Sequence, residues 1–208
     1  MRRDLELIAD WVRPGAHVLD LGCGDGTLLS YLGEVRGTTG YGLEIDPDNV
    51  ARCITRGVDV IQADLDQYLP EFNSGGFDYV IMTQSLQALH FPVRILDEML
   101  RIGREAVTSF PNMGHWKCRM QLGAFGHMPV TRMLPHRWYD TPNIHLCTVY
   151  DFERLCTERG YEILERAAVD RHHRTTPLAR MAPNVFGESA MFRFRKEQES
   201  DGADTNHR

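Results

Sequence analysis

Three glycines alternate with other residues in a segment suited to holding a ligand. The segment GCGDG, which contains Gly22, Gly24 and Gly26, follows the apolar run HVLDL at residues 17–21. In an open parallel sheet the ligand lies beyond the carboxyl ends of the strands, where a glycine-rich turn lets the backbone approach it closely. The spacing differs from the dinucleotide pattern G-x-G-x-x-G, and no Gly-Lys-Ser/Thr follows to make a phosphate-binding loop. We therefore expect a cofactor without a pyrophosphate group.

Carboxylates at the ends of predicted strands accompany this turn. Glu44 ends the second strand, where a carboxylate can accept hydrogen bonds from both hydroxyls of a ribose. Asp64 ends the third strand and can accept one from an adenine amino group, which leaves the backbone of Leu65 facing the ring. Asp20 adds a negative charge suited to an ammonium or sulfonium group, and Gln84, after the fourth strand, is a further candidate for lining the pocket.

The elements that must position these residues follow from hydrophobic periodicity. Helical spacing begins at Leu5 and alternates with short apolar runs, which indicates a parallel sheet covered on both faces. We predict strands at residues 17–21, 41–47, 58–64, 77–82, 105–110, 161–167 and 189–194, and a loop at 171–184. We expect one domain over residues 1–195, interrupted by an insertion at 111–148, and a disordered tail at 196–208.

Composition narrows the classes of partner. The 208 residues carry a net charge of −6, so the molecule as a whole repels phosphate backbones and anionic membranes, and we expect neither nucleic acid nor membrane as a partner. The five cysteines occur singly, without a CxxC pair or zinc-site spacing, which predicts reduced thiols and no metal. No run approaches the ~18 apolar residues of a membrane helix, and the first residues have no signal-peptide pattern, so we expect a cytoplasmic protein.

The insertion is basic and aromatic within this acidic chain. Residues 111–139 contain no Asp or Glu, and the side chains that we predict to form a partner surface are Trp116, Lys117, Arg119, Arg132, Arg137 and Trp138. Arginine and tryptophan are enriched at the centres of protein interfaces. An ordinary cap over the sheet, whose arginines extend to water, is the alternative interpretation.

The glycine turn and the two strand-end acids occur in an order that resembles class I S-adenosylmethionine-dependent methyltransferases. The residues that carry this resemblance are DLGCGDG, Glu44 and the ADL that ends at Leu65. Methyl transfer sometimes needs a base, for which His90, His115 and Tyr139 are the candidates, although such histidines are more often surface or core residues. The Asn/Asp-Pro-Pro-aromatic signature of methyltransferases that act on nucleic-acid amines is absent after the fourth strand, where the sequence is MTQSLQ.

Longer segments are similar to the MetW family, which is named for methionine biosynthesis. They are SFPNMGHW at 109–116, MPVT at 128–131 and WYDTPNIHLCT at 138–148, within a likeness that runs from about residue 5 to about residue 194. The resemblance implies a cytoplasmic bacterial protein with a three-layer, Rossmann-like class I methyltransferase fold, whose seven-stranded sheet is mostly parallel with a C-terminal antiparallel strand. It also implies S-adenosylmethionine or S-adenosylhomocysteine as cofactor and the homoserine O-acyltransferase MetX as partner.

Three functions stay open at this point. The first is a methyltransferase-fold subunit that binds S-adenosylmethionine and supports MetX without catalysing a reaction of its own. The second is an active methyltransferase that acts on a small carboxylate or on a protein side chain. The third is a scaffold whose cofactor pocket is vestigial.

Overall fold

A computed structural model describes residues 3–170 and 174–197. Helices and strands alternate along the chain up to the insertion, as their spacing predicts. The helices are α1 (Arg3–Trp11), α2 (Thr27–Arg36), α3 (Pro47–Thr55), α4 (Leu65–Tyr68), α5 (Pro92–Ile102), α6 (Trp116–Phe125), α7 (Val149–Arg159), α8 (Pro177–Met181) and α9 (Pro183–Phe186). The strands are β1 (His17–Leu21), β2 (Thr39–Glu44), β3 (Val60–Gln62), β4 (Phe77–Thr83), β5 (Gly103–Pro111), β6 (Tyr161–Val169) and β7 (Ser189–Lys196).

The seven strands form one sheet in the order β3-β2-β1-β4-β5-β7-β6. The strands β1 to β5 pair in parallel, whereas β7 is antiparallel to both of its neighbours. This arrangement confirms the predicted mostly parallel sheet with a C-terminal antiparallel strand. The chain passes from β1 to β2 on one side and from β3 to β4 on the other side of β1, so the strand order reverses there. Open α/β sheets bind ligands in the crevice that such a reversal leaves at the carboxyl ends of the strands.

Local sequence sets the limits of the helices that flank this crevice. Gly26, with φ 75°, precedes α2, and Gly37, with φ 62°, ends it. Both residues have the left-handed conformation that glycine adopts without steric cost. The side chain of Asp46 caps α3 by accepting a hydrogen bond from the backbone N–H of Asp48 at 2.9 Å. Gly26 and Asp46 therefore start α2 and α3 within a few residues of the ends of β1 and β2, at the crevice.

Apolar side chains cover the sheet on both faces. On one face the buried cluster includes Leu19 and Leu21 of β1 with residues of α5 and α7. On the other face Val18 packs with residues of α1, α2 and α3. Because successive strand residues point to opposite faces, Asp20 shares the face of Val18. The fold is thus a three-layer sandwich in which one carboxylate is placed among apolar neighbours.

The predicted loop at 171–184 is wrong where the structure describes it. Two short helices, α8 and α9, occupy most of residues 177–186, and each begins with a proline. Proline fixes φ near its helical value at a first turn, and Thr176 caps α8 by accepting from the N–H of Ala179 at 3.1 Å. Residues 171–173, and 198–208 of the predicted tail, lie outside the described residues. No helix in the described part combines the length and apolarity needed to cross a bilayer.

Candidate functional site

The glycine turn after β1 has left-handed backbone at each of its three glycines. The φ angles of Gly22, Gly24 and Gly26 are 68°, 57° and 75°. A Cβ atom on Gly22 would lie 2.9 Å from the Oγ of Ser85. A larger residue in place of Gly22 would therefore force the glycine turn and the segment after β4 apart. At Gly24 no atom lies within 4 Å of the Cβ position, so only its φ angle calls for glycine there. The turn therefore presents bare backbone to the crevice.

Glu44 is fixed at the end of β2 by backbone donors. Its Oε2 accepts a hydrogen bond from the N–H of Gly24 at 2.8 Å, and its Oε1 accepts from the N–H groups of Ile45 and Asp46, both at 2.9 Å. An ionised carboxylate offers about four acceptor positions. Three of them are thus filled by the backbone, and the remaining direction of Oε2 is the one open to a ligand.

Asp20 is a buried carboxylate whose hydrogen bonding is incomplete. The residue is 1% exposed, and its Oδ1 finds no hydrogen-bond partner among the residues that the structure describes. Burial, and then the nearby Glu44 carboxylate, raises the pKa of Asp20 to about 7. A buried polar atom without a partner is costly, and a cationic group placed against it would recover the loss.

Two cavities meet at Gly22. The Asp20 cavity, of about 370 Å³, is lined by Leu5, Asp20, Gly22, Cys23, Gly24, Asp25, Thr27, Leu28, Thr83 and Gln84. The Glu44 cavity, also of about 370 Å³, is lined by Gly22, Leu43, Glu44, Ile45, Ala63, Asp64, Leu65, Ser85, Ala88, Leu89 and His90. The structure therefore brings together the predicted residues Asp20, Gly22, Gly24 and Gln84 in the first cavity, and Glu44, Asp64 and Leu65 in the second. Gly26 lies at the start of α2, outside both sets.

Gln84 adopts a conformation that is unusual for its residue type. Its φ is 62°, and among the described residues it alone has left-handed backbone without being a glycine. The side-chain Nε2 donates to the Oγ atoms of Ser109 and Ser189 at 3.3 and 3.0 Å, and the backbone N–H donates to the carbonyl of Ser109. Backbone strain of this kind concentrates at ligand sites.

Residues that follow β4 were missed by sequence reasoning. The Glu44 cavity is lined by Ser85, Ala88, Leu89 and His90. Of these, only His90 was named from the sequence, as a candidate base. A signal was present, because β4 is parallel to β1 and its carboxyl end must reach the same edge of the sheet. The residues after such a strand are candidates by position, although no motif marks them here.

The three candidate bases do not come together. His90 is in the wall of the Glu44 cavity, whereas His115 is 4% exposed at the start of α6, where burial lowers its pKa. Tyr139 is 62% exposed in the insertion and its hydroxyl accepts from Arg137. Only His90 is therefore in contact with either cavity.

Cys23, in the glycine turn, packs as a small buried residue. Its Sγ lies 3.8 Å from the Sγ of Cys53, and a Cβ atom added to Gly42 would lie 2.3 Å from it. Burial raises the pKa of the Cys23 thiol, and Asp20 adds to that effect. Within the described residues all five cysteines are free thiols, and no three His, Cys, Asp or Glu side chains are grouped so as to hold a metal ion.

The insertion presents much apolar surface. More than half of the large apolar side chains that are exposed in the described chain belong to it, namely Trp116, Met120, Leu122, Phe125, Met128, Val130, Trp138, Tyr139, Ile144 and Leu146. Trp138 is 74% exposed and Trp116 43% exposed. Exposed apolar groups gathered in one segment are typical of a protein-interaction surface.

The six residues predicted for that surface have different environments. Lys117 forms an ion pair with the nearly buried Glu188 at 3.1 Å, and the Nε of Arg119 donates to the carbonyl of Gly114 at 2.6 Å. Both cations thus hold the insertion to itself or to the start of β7. Arg132 and Arg137 are exposed, as are Trp116 and Trp138. Arg119 is exposed as well, so Lys117 is the one of the six whose side chain is mainly engaged within the chain.

The base of the insertion is tied to α9 and to the loop before β7 by buried amides. The Nδ2 of Asn112 donates to the carbonyls of Asn184 and Gly187 at 3.1 and 2.8 Å, and its Oδ1 accepts from the N–H of Gly114 at 2.9 Å. At the far end of the insertion the N–H of Val149 donates to the Oδ1 atoms of Asn112 and Asn184 at 3.3 and 3.2 Å. One buried side chain therefore joins both ends of the insertion.

Comparison with known proteins gives the following relationships. The model of the family described as methionine biosynthesis protein MetW matches residues 2–194. A bifunctional methionine biosynthesis protein MetXA/MetW of Rhodopirellula baltica is 35% identical in an alignment of 205 residues, and the match covers 93% of this chain and 33% of the relative. The chain thus spans about a third of the length of that curated relative.

Solved structures share the fold at low sequence identity. A methyltransferase of Archaeoglobus fulgidus described as dependent on S-adenosylmethionine is 14% identical with a TM-score of 0.67, over 94% of this chain and 92% of that one. A similarly described protein of Mesorhizobium loti is 18% identical with a TM-score of 0.65, over 92% and 100%. The cyclase SpnF is 19% identical with a TM-score of 0.67, over 94% and 81%. A fold shared by methyltransferases and a cyclase leaves the reaction open.

Proposed function

The chain belongs to the MetW family of methionine biosynthesis proteins, and from that premise we propose that it is an S-adenosylmethionine-binding subunit that supports the homoserine O-acyltransferase MetX. The single observation that carries the ligand assignment is the pair of cavities that meet at Gly22. One contains Asp20, whose Oδ1 has no partner among the described residues, and the other contains the hydrogen-bonded Glu44 carboxylate. S-adenosylhomocysteine would occupy the same residues.

The residues present fit such a ligand in both of its parts. The amino-acid portion carries an ammonium group, which Asp20 can pair with in a cavity whose described lining contains no lysine, arginine or histidine. The ribose can donate to the open direction of Glu44, and the adenine can lie between Leu65 and Leu89, with Asp64 at the edge that carries its amino group. When bound, S-adenosylmethionine supplies a methyl group on a sulfonium, which is a good leaving group.

The partner assignment is supported by the fused relative and by the insertion. In the Rhodopirellula baltica protein a segment similar to this chain is part of one polypeptide named for both MetXA and MetW. Fusion keeps two modules at a high effective concentration, which favours modules that act together. The exposed side chains Trp116, Trp138, Arg132 and Arg137 supply aromatic and cationic groups for a surface with acidic character.

Methyl transfer is the second candidate function, and the presence of His90 in the wall of the Glu44 cavity favours it. It predicts incorporation of label from methyl-labelled S-adenosylmethionine into a component of a cell extract. Asp20→Ala or Glu44→Ala should abolish that incorporation. Extracts that stay unlabelled with the wild-type chain, while the ligand binds, would leave the non-catalytic role.

Calorimetric titration tests the ligand assignment. We expect the wild-type chain to bind S-adenosylhomocysteine, and Asp20→Asn to weaken that binding by at least about tenfold, since a charged hydrogen bond is worth roughly 1.5–3 kcal/mol. The control ligand is 5′-methylthioadenosine, which lacks the amino-acid portion and should lose little affinity in the variant. Equal losses for both ligands, or no binding by the wild type, would contradict the assignment.

Charge reversal tests the partner assignment. Arg132→Glu with Arg137→Glu should weaken co-purification with MetX and lower the rate of homoserine acylation by the mixture. The matched control is Arg52→Glu with Arg94→Glu, which reverses two exposed arginines outside the insertion and outside both cavities. If the two double variants behave alike, the insertion is not the interface.

A further inference from the structure

We call residues 85–90 the connector. Some of its side chains line the Glu44 cavity, and others are buried in the protein interior. Ser85, Ala88, Leu89 and His90 line the cavity. Gln87, between them, is only 1% exposed and lies against the insertion instead. A single short segment therefore touches both the candidate ligand site and the insertion that carries the candidate partner surface.

The contacts of Gln87 with the insertion are direct hydrogen bonds. Its backbone carbonyl accepts from the N–H groups of Ile144 and His145 at 2.9 and 3.0 Å. Its side-chain Nε2 donates to the carbonyl of Pro111 at 3.0 Å and lies 3.4 Å from the Sγ of Cys147. Gln87 thus holds the first residue of the insertion and also the segment 144–147 near its end.

A second contact joins the same two segments beside the cavity. The ring Nε2 of His145 lies 3.3 Å from the backbone carbonyl of His90. Because the connector contains a 3₁₀ turn at Leu86–Ala88, its cavity residues and Gln87 are joined through hydrogen-bonded backbone. Leu89 and His90 therefore follow Gln87 directly in a short segment whose turn is closed by the hydrogen bond from the N–H of Ala88 to the carbonyl of Ser85 at 3.0 Å.

We propose that the connector couples occupancy of the Glu44 cavity to the order of the insertion. A nucleoside packed against Leu89 and His90 holds the connector in place, and Gln87 then holds the segment 144–147 in the conformation seen here. The inference rests on the proposed function, because it requires an adenosine ligand in this cavity. The exposed apolar surface of the insertion becomes better ordered for a partner when the ligand is bound.

Thermodynamic linkage makes this coupling reciprocal. If the ligand raises the affinity of a partner for the ordered insertion, the partner raises the affinity for the ligand by the same factor. An S-adenosylmethionine-binding subunit built in this way would report the concentration of that ligand to the enzyme on which it docks. The effect of the ligand on the order of the insertion lies within this chain, so it can be measured without the partner.

Amide hydrogen exchange of the full chain, with and without S-adenosylhomocysteine at about 100 times its calorimetric dissociation constant, tests the proposal. We expect exchange at Ile144 and His145 to slow by at least about threefold and by at most about 100-fold, the limit reached if these amides exchange only after the ligand leaves. Exchange of the interior amides of α7, which are hydrogen-bonded within that helix, serves as the internal reference.

Two variants separate the connector from general loosening of the insertion. Gln87→Met keeps the length of the side chain and the backbone carbonyl that holds Ile144 and His145, but it removes the side-chain donor to Pro111 and Cys147. It should therefore reduce the ligand-dependent slowing while the ligand still binds. Gln121→Met is the matched control, because Gln121 also clamps the insertion, through Val130, but without contact to the connector. It should exchange faster overall and keep its response to ligand.

A second pair of variants keeps the proposal falsifiable if Gln87→Met fails to fold. Ile144 is 53% exposed, and Ile144→Pro removes one of the two N–H donors to Gln87, whereas Ile144→Ala removes only the side chain. The proline variant should lose at least half of the slowing at His145, and the alanine variant should keep it. Wild-type chain that binds the ligand with unchanged exchange at 144–145, or a proline variant that responds like the alanine one, would overturn the coupling. Absence of binding would overturn the proposed function as well.

Discussion

The backbone N–H of Gly24 donates a hydrogen bond to the Oε2 of Glu44 at 2.8 Å, and this contact joins the glycine turn after β1 to the end of β2. The turn and the carboxylate are consequently held in one arrangement before any ligand arrives. Preorganisation of this kind lowers the entropic cost of binding. It also makes Glu44 a structural residue, which the sequence presented only as a ligand-binding one.

Glu44→Gln should destabilise the fold as well as weaken the ligand. The amide has one acceptor oxygen, so its NH₂ group would face a backbone N–H at one end or the other, and a buried donor would be left unsatisfied. We expect the free energy of unfolding in urea to fall by about 1–3 kcal/mol. Asp46→Ala is the control, since it removes the cap of α3, at a cost of about 1 kcal/mol, and should leave ligand affinity unchanged. Wild-type stability in Glu44→Gln would contradict this role.

The stability of the chain should depend on the charge of Asp20. The pKa of Asp20 is about 7 in the fold, raised by burial, against about 3.9 in an unfolded chain. Between those values the folded state holds a proton that the unfolded state lacks, so the free energy of unfolding falls as the pH rises, by up to about 1.4 kcal/mol per pH unit. Above pH 7 this contribution no longer changes.

Asp20→Asn removes that titration and should therefore be more stable than the wild type at pH 8 by a larger margin than at pH 5. Urea unfolding of both proteins at the two pH values measures the difference, and comparison of the two chains cancels the titration of other groups. A difference that is independent of pH would show that Asp20 is ionised throughout this range in the fold. The same variant is expected to bind S-adenosylhomocysteine less well, so stability and binding oppose each other at this residue.

Gly42→Ala should be more damaging than Gly24→Ala, although Gly24 belongs to the glycine turn and Gly42 does not. A Cβ atom on Gly42 would lie 2.3 Å from the Sγ of Cys23, whereas one on Gly24 meets no atom within 4 Å. Gly24→Ala should lower the free energy of unfolding only through its left-handed backbone, by about 1–2 kcal/mol. Gly42→Ala must displace Cys23 and the turn with it, which should lower both the thermal midpoint and ligand affinity further. Adding Cys23→Ala should recover only the part due to Sγ, because the Cβ of residue 23 would still lie 2.7 Å from the added atom. A Gly42→Ala chain as stable as Gly24→Ala would contradict the steric cause.

Lys117→Met should lower stability, whereas Arg132→Met should leave it unchanged within about 0.5 kcal/mol. Lys117 neutralises Glu188, whose side chain is 9% exposed, and removal of the cation leaves that charge nearly buried and unpaired. We expect a loss of about 1–3 kcal/mol in urea unfolding. Glu188→Gln added to Lys117→Met should restore part of it. If both single variants are equally stable, Lys117 belongs to the open surface with Arg132.

Much of the site follows from the order of short-range signals along the chain. The alternation of apolar runs with helical spacing determined a parallel sheet, because each element needs one buried face. Parallel pairing then places the ends of β1, β2 and β4 at one edge of the sheet, which is why Asp20, Glu44 and Gln84 could be named together. The segments that are similar to the MetW family could also be recognised from the sequence, because each is a continuous run of residues.

Tertiary structure alone decided which partners these groups find. The unsatisfied Oδ1 of Asp20, the contact of Gly42 with Cys23 and the ion pair of Lys117 with Glu188 join residues from different elements. No periodicity or spacing records such contacts, because they depend on how the layers pack. The helices α8 and α9 were missed because they are too short to show a periodicity, and both are held by packing on β6, with a side-chain cap only on α8. Charge and residue type are local properties that a sequence displays, whereas burial and pairing are fixed only when distant segments meet.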